Sequence, residues 1–165
     1  MLGFYQNFPE SLHRITRFVA SVSNKGLQQT LIQAFYQLGN EKLTIEEITD
    51  PSIPQCIVFF EIGIAEANGF NYLDSEEKSR VIKAIRKKPF EIMDFLCSIR
   101  YYRMQNEKKT PLRFDYYMLR FVFNKNSIEI RVFHERGPRH VSPEDIVSFL
   151  VRRIEAFRRK VIRPL

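Results

Sequence analysis

The chain has little of the raw material from which catalytic and metal sites are commonly built. It contains no tryptophan, two cysteines, three histidines and six glycines. It has no phosphate-binding loop, no glycine-rich dinucleotide turn, no paired-cysteine motif, no Gly-x-Ser-x-Gly elbow and no His-Glu-x-x-His. These absences argue against the common nucleotide-binding and hydrolytic enzymes, and we expect a non-catalytic protein with no catalytic residues and no cofactor.

Long apolar runs are missing too. No stretch approaches the roughly 18 apolar residues that span a bilayer, and the first residues lack the basic-then-apolar pattern of a signal peptide. Cys56 and Cys97 each lie in an apolar run without a Cys or His at metal-ligand spacing, which is typical of buried, reduced thiols. We therefore expect a cytoplasmic protein with no membrane partner.

Charge is distributed unevenly along the sequence. The formal net charge is +7. Residues 41–77 carry one basic and nine acidic residues, whereas residues 78–165 carry 22 basic and nine acidic residues. The basic block suits a nucleic-acid partner, although the acidic middle could equally pack against the basic end of the same chain or of another copy.

The pattern of apolar residues predicts a single α+β domain over residues 1–165, with a helical part over 1–50 and an α+β part over 56–165. We expect an N-terminal helical pair, residues 9–23 and a second helix ending at Leu38, since apolar residues recur at helical spacing in both. We also expect an antiparallel sheet of meander or hairpin type packed by helices, and a long C-terminal amphipathic helix. Residues 89–104 fit either element, and we predict a helical start that becomes a strand near Phe95.

Two alternating stretches predict a β-hairpin between residues 115 and 135. A tip at Lys125-Asn126 places Phe123 opposite Ile128 and Arg120 opposite Arg131, while another register would bury Glu129. Tyr116 then faces Glu135. The arginine pair either reaches water and carboxylates, or marks a face that meets phosphates and bases together with Tyr116 and Phe133.

The stretch His134 to His140, HERGPRH, precedes a helix that Ser142 caps. A helix start presents free backbone amides and partial positive charge, so Arg136, Arg139, His140 and Ser142 form a candidate anion-binding loop. The alternative is an ordinary Gly-Pro turn whose arginines neutralise nearby carboxylates. A metal site would need further ligands, and alternation directs His134 and Glu135 to opposite faces, so we expect none.

The predicted C-terminal helix carries more cations than its dipole requires. Arg152, Arg159 and Arg163 share one face, joined by Arg153, Arg158 and Lys160. We read this excess as a surface for a polyanion.

Together, these patterns predict a protein that binds nucleic acid, with RNA or single strands favoured. The candidate residues are Arg120, Arg131, Arg136, Arg139, Arg152, Arg159, Tyr116 and Phe133. The alternative is an interaction or assembly subunit, a homo-oligomer or complex component with complementary acidic and basic surfaces.

Overall fold

A computed structural model describes residues 1–50, 53–159 and 161–164. The strands are β1 (Arg14–Ala20), β2 (Leu43–Thr44), β3 (Cys56–Glu66), β4 (Gly69–Tyr72), β5 (Ile92–Gln105), β6 (Lys108–Pro111), β7 (Asp115–Asn124), β8 (Ser127–Arg136) and β9 (Ile162–Pro164). The helices are α1 (Asn24–Leu38), α2 (Ser75–Lys87) and α3 (Pro143–Phe157), and a 3-10 turn spans Ile45–Glu47.

The strands form one antiparallel sheet in the order β2-β3-β5-β7-β8-β1-β9, with β4 added to β3 and β6 added to β5. Side chains alternate between the two faces of such a sheet. The three helices pack on one face, where Phe35 of α1 meets Phe95 and Phe121 edge-on, with ring centroids 5.1 and 5.8 Å apart. Phe149 of α3 stacks on Phe60 of β3 at 5.3 Å. We call the opposite face the outer face.

The expected N-terminal helical pair is wrong. Its first member is strand β1, which pairs with β8 so that Phe18 lies opposite Ile128. Phe18 and Ala20 point into the core, while Ile15 points outward. The apolar residues have helical spacing, but the segment is rich in β-branched residues and lies beside the open edge of β8. It forms a strand because pairing with β8 satisfies a full row of backbone groups. The second member, α1, ends at Leu38 as predicted.

The long C-terminal helix is also wrong. Helix α3 begins as predicted, with Ser142 accepting a hydrogen bond from the Asp145 amide, but it ends at Phe157. The carboxylate of Glu155 accepts hydrogen bonds from the amides of Val161 and Ile162. This contact turns the chain back, so that β9 pairs with β1. Lys160 of the predicted basic stripe lies outside the described residues.

Residues 89–104 contain no helix among the described elements, contrary to the predicted helical start. Strand β5 begins at Ile92 and pairs with both β3 and β7. Met93, Phe95, Cys97, Ile99 and Tyr101 alternate into the core. A strand with partners on both sides has most of its backbone groups satisfied by the hydrogen bonds to its neighbours. The segment therefore forms a strand despite the helix-like spacing of Ile92, Phe95 and Ile99.

The β7–β8 hairpin has the predicted register at its tip. Phe123 lies opposite Ile128 and Arg120 opposite Arg131. A β-bulge between Tyr116 and Tyr117 then shifts the pairing, so that Tyr116 faces Arg136 rather than Glu135. The bulge therefore places a cation where the predicted register placed a carboxylate.

No helix within the described ranges is long and apolar enough to cross a membrane.

Candidate functional site

One half of the outer face combines aromatic rings with cations. It lies near the start of β3, the end of β5 and the start of β7. Phe59 and Tyr102 lie edge to face, 5.8 Å between centroids, and the ammonium of Lys109 lies 4.4 Å from the Tyr102 centroid. On β8 the Arg136 guanidinium lies 4.3 Å from the Tyr116 centroid. We call Tyr102 and Lys109, which lie in the β5–β6 hairpin, the hairpin pair. We call Tyr116 and Arg136 the central pair.

Strand register joins the two pairs into one surface. Phe59 lies opposite Arg100, and Ser98, two residues earlier on the same face of β5, lies opposite Tyr116. The Arg100 guanidinium lies 5.6 Å from the Phe59 centroid. Phe59, Arg100, Tyr102 and Tyr116 are partly exposed, while Lys109 and Arg136 are exposed. The face therefore presents aromatic rings edged by positive charge, a combination that suits both anions and planar groups.

The exposed carboxylate of Glu61 interrupts this surface. Glu61 is exposed on β3 and lies opposite Ser98 of β5. On its other side, Ser98 lies opposite Tyr116 of β7. The negative charge of Glu61 opposes Arg100 and Arg136 and lowers the potential that the face offers to an anion.

On the other half of the outer face, the N-terminal segment covers the region around Asp94 and Arg120. The carboxylate of Asp94 accepts hydrogen bonds from Arg120 and from the Tyr5 amide, and the Arg120 guanidinium lies 4.5 Å from the Phe8 centroid. Arg131 pairs with Glu129, which also accepts from Arg17 at 2.9 Å. Two of the predicted nucleic-acid contacts, Arg120 and Arg131, thus already have carboxylate partners.

Phe133, the second predicted stacking residue, is also on this covered side. The ring of His13 stacks on it, with centroids 4.8 Å apart and planes within 9°. One face of Phe133 therefore already has a ring partner, whereas the Tyr116 ring has the Arg136 guanidinium over it.

The predicted anion-binding loop holds an internal anion. The buried Asp115 carboxylate accepts hydrogen bonds from the backbone amides of Arg139 and His140, at 2.6 and 2.9 Å. It also accepts from the Tyr101 hydroxyl at 2.6 Å, and Nε2 of His134 lies 2.8 Å away. Asp115 thus satisfies the loop amides that an external anion would otherwise use.

Burial, together with the neighbouring Asp115 charge, raises the pKa of Tyr101 and Tyr117. Tyr117 donates its hydroxyl hydrogen to the carbonyl of Val141. Both phenols are therefore fixed, neutral donors that hold the loop against the sheet. In residues 1–50, 53–159 and 161–164, no group of three His, Cys, Asp or Glu could hold a metal ion.

The remaining predicted residues lie on the helical side of the molecule. Arg152 of α3 donates a hydrogen bond to the Glu47 carbonyl. Arg159 is exposed beyond the end of α3. The structure brings together Tyr116 and Arg136, but it separates them from Arg152 and Arg159.

Sequence reasoning missed Phe59, Arg100 and Lys109. A signal for Arg100 was present: once Cys97, Ile99 and Tyr101 are read as an inward strand, Arg100 and Tyr102 must point outward. The approach of Phe59 and Lys109 depends on strand pairing and had no local signal.

No family model, no curated protein and no solved structure matches the chain.

Proposed function

We propose that the protein binds nucleic acid, with RNA or single strands favoured, through the outer face of its sheet. The observation that carries this proposal is the set of three cations, Arg100, Lys109 and Arg136, lying over partly exposed aromatic rings. Nucleic acids offer both phosphates for such cations and planar bases for such rings. A purely anionic partner would have no use for the rings, and a purely apolar one would have to desolvate the charges.

Of the residues predicted from sequence, Tyr116 and Arg136 belong to this surface. Arg120 and Arg131 stabilise the covered half of the face, because each already pairs with a carboxylate. Arg152 and Arg159, on the helical side, are expected to contribute little to the same interface.

Binding measured across salt concentration tests the proposal. Fluorescence anisotropy with labelled single-stranded RNA, single-stranded DNA and duplex would be recorded from 50 to 300 mM salt, the usual range for counterion release. We expect affinity to fall with salt, and Lys109→Glu and Arg136→Glu to weaken binding and each flatten the salt slope by about 1 or more.

Charge-matched controls lie on the other side of the molecule. Lys83 and Arg86 are exposed on α2 and form no ion pair within the part of the chain that the structure describes. Lys83→Glu and Arg86→Glu change net charge equally and should leave binding nearly unchanged. Absence of binding at 50 mM salt, or equal losses in both pairs of variants, would overturn the proposal.

The alternative is an assembly subunit that meets a protein, favoured by the half-exposed Ile15 on the outer face. Its acidic segment is partly used within the chain, since Arg153 pairs with Glu41 and Arg80 pairs with Glu66 and Glu77. Size-exclusion chromatography with light scattering at low and high salt separates the two functions. A salt-sensitive oligomer that ignores nucleic acid would favour the alternative.

A further inference from the structure

The hairpin pair is held at the edge of the sheet by an exposed arm. Strand β6, from which Lys109 comes, is exposed along its whole length and, among the described strands, pairs only with the end of β5. The two turn residues, Asn106 and Glu107, both have positive φ, at 49° and 64°, as a tight two-residue hairpin requires. Lys109 is thereby positioned over both Phe59 and Tyr102, at 5.1 and 4.4 Å, although its exposed side chain can leave them without breaking a backbone contact.

The central pair depends on the bulge in β8. Without the extra residue, Glu135 would face Tyr116 and repel phosphate from the ring. With it, the planar guanidinium of Arg136 lies over the ring. A guanidinium plane can stack on a base or form hydrogen bonds with a phosphate, so Arg136 suits a nucleotide in either position.

The two pairs are too far apart for one nucleotide. Tyr116 aligns with Ser98, and Tyr102 lies four residues further along β5 on the same face. At about 3.4 Å per residue the rings are separated by about 14 Å along the strand, with Arg100 between them. A ligand that uses both rings must be a chain of several nucleotides.

Bases in a duplex are stacked on each other and cannot offer their planar surfaces to rings that are half buried in a sheet. An unpaired strand can place its bases on aromatic side chains and its phosphates on nearby cations. Lys109 and Arg136 already lie over the rings in the free protein, where the ring quadrupoles attract them and keep positive charge at the positions that phosphates would approach.

We infer that the outer face takes an unpaired oligonucleotide with one base on the hairpin pair and another on the central pair, while Lys109, Arg100 and Arg136 contact the intervening phosphates. This inference rests on the proposed function. It adds that stacking at two separated positions, and not charge alone, determines which nucleic acid binds.

Leucine substitutions test the stacking positions. For a labelled eight-residue oligouridylate or oligothymidylate, we expect Tyr102→Leu and Tyr116→Leu each to weaken binding about tenfold, within the range measured when a stacking ring is removed. The double variant should lose roughly the product of the two factors. Tyr72→Leu is the matched control, because Tyr72 is 47% exposed but lies on β4, outside the two pairs.

Ultraviolet crosslinking adds a readout that needs no variant. Oligonucleotides carrying 4-thiouridine, crosslinked to the unmodified protein and mapped by mass spectrometry, should label the peptides that contain Tyr102 and Tyr116. A mononucleotide should bind far more weakly than the eight-nucleotide strand. A duplex of the same length should bind the unmodified protein no better than it binds the Tyr102→Leu or Tyr116→Leu variant.

The outcomes separate the inference from the proposed function. If single strand and duplex bind equally and neither leucine variant differs from Tyr72→Leu, the two-position inference is overturned while charge-driven binding remains. Crosslinks that map only to the helical side would also overturn it. If no nucleic acid binds at low salt, the proposed function fails and the inference fails with it.

Discussion

Asp94 and Arg120 form a bidentate ion pair on the outer face of the sheet, with Nε–Oδ1 and Nη2–Oδ2 distances of 2.7 and 2.8 Å. Asp94 is fully buried and the Arg120 side chain is 14% exposed. The Tyr5 amide donates to the same carboxylate, and the Tyr5 carbonyl accepts from Arg120 at 3.1 Å. The pair therefore fastens the N-terminal segment to β5 and β7.

We expect Arg120→Ala to destabilise the protein by about 3–5 kcal/mol, because it leaves a buried carboxylate unpaired. Asp94→Ala should also be destabilising, but the double variant should lose less than the sum, with a coupling of about 1–3 kcal/mol. Urea unfolding of the four proteins measures this. Strict additivity would show that the two side chains do not stabilise each other.

This pair shows what sequence could and could not predict. Arg120 was correctly placed on the outer face opposite Arg131, because alternation and a short turn determine the hairpin register. Its actual partner, Asp94, comes from a strand 26 residues earlier, and no local pattern specifies which strand will be its neighbour. Arg120 was therefore predicted to bind an external anion when an internal one is present.

Gln28 makes the same point on the helical side. It lies among glutamines that suggest a solvated helix face, yet it is fully buried. Its side-chain amide donates to the Phe90 carbonyl at 2.7 Å and accepts from the Phe90 amide at 2.9 Å. The contact spans 62 residues, so only the fold distinguishes Gln28 from Gln29 and Gln33, which are partly exposed, and from Gln37, which is exposed. Helix α1 itself was predictable, because its apolar residues recur at helical spacing.

Gly137 is required by the loop that Asp115 organises. Its φ is +111°, and a Cβ there would lie 2.2 Å from the Phe114 carbonyl oxygen and 2.6 Å from Oδ1 of Asp115. We expect Gly137→Ala to destabilise the protein by more than about 2 kcal/mol, because both the backbone angle and the space are unfavourable. Gly69→Ala is the control, since among the described residues no atom beyond Gly69 itself and its chain neighbours lies within 4 Å of its Cβ position. Similar melting temperatures for the two variants would contradict this view of the loop.

His13 gives the N-terminal segment a dependence on pH. Its Nδ1 accepts the His134 amide hydrogen at 2.8 Å. Burial, followed by the charges of Arg139 and His134, lowers the pKa of His13 below its ordinary value of 6.5. The folded state thus favours the neutral ring, so its stabilising contribution is present above pH 6.5 and is lost as pH falls through 6.5 toward the folded pKa.

An NMR titration of the His13 ring should therefore give a midpoint below 6.5. His13→Asn keeps a hydrogen-bond acceptor but cannot titrate, and the variant should lose less stability than the natural protein between pH 7 and pH 5.5. A midpoint at or above 6.5 would mean that the ring is more stable charged, and the sign of the predicted pH dependence would reverse.

Glu61 is an exposed carboxylate on β3 that lies opposite Ser98, the residue that also lies opposite Tyr116, and its charge opposes the proposed binding of phosphates. We expect Glu61→Lys to tighten binding of a single strand several-fold and to steepen the salt dependence by about 1. Glu61→Gln should give a smaller gain of the same sign. Anisotropy titrations at 50 and 200 mM salt measure both effects.

Asp50→Lys is the charge-matched control for this substitution. Asp50 is exposed in the connector whose Thr49 hydroxyl donates to Asp145 of α3, so it lies beside the helices rather than on the outer face. If affinity depends on net charge alone, Asp50→Lys and Glu61→Lys will tighten binding equally, and the outer face has no special role. A gain confined to Glu61→Lys is the expected result, because the Coulomb interaction with a phosphate falls with distance and is screened beyond about 10 Å at 0.1 M salt.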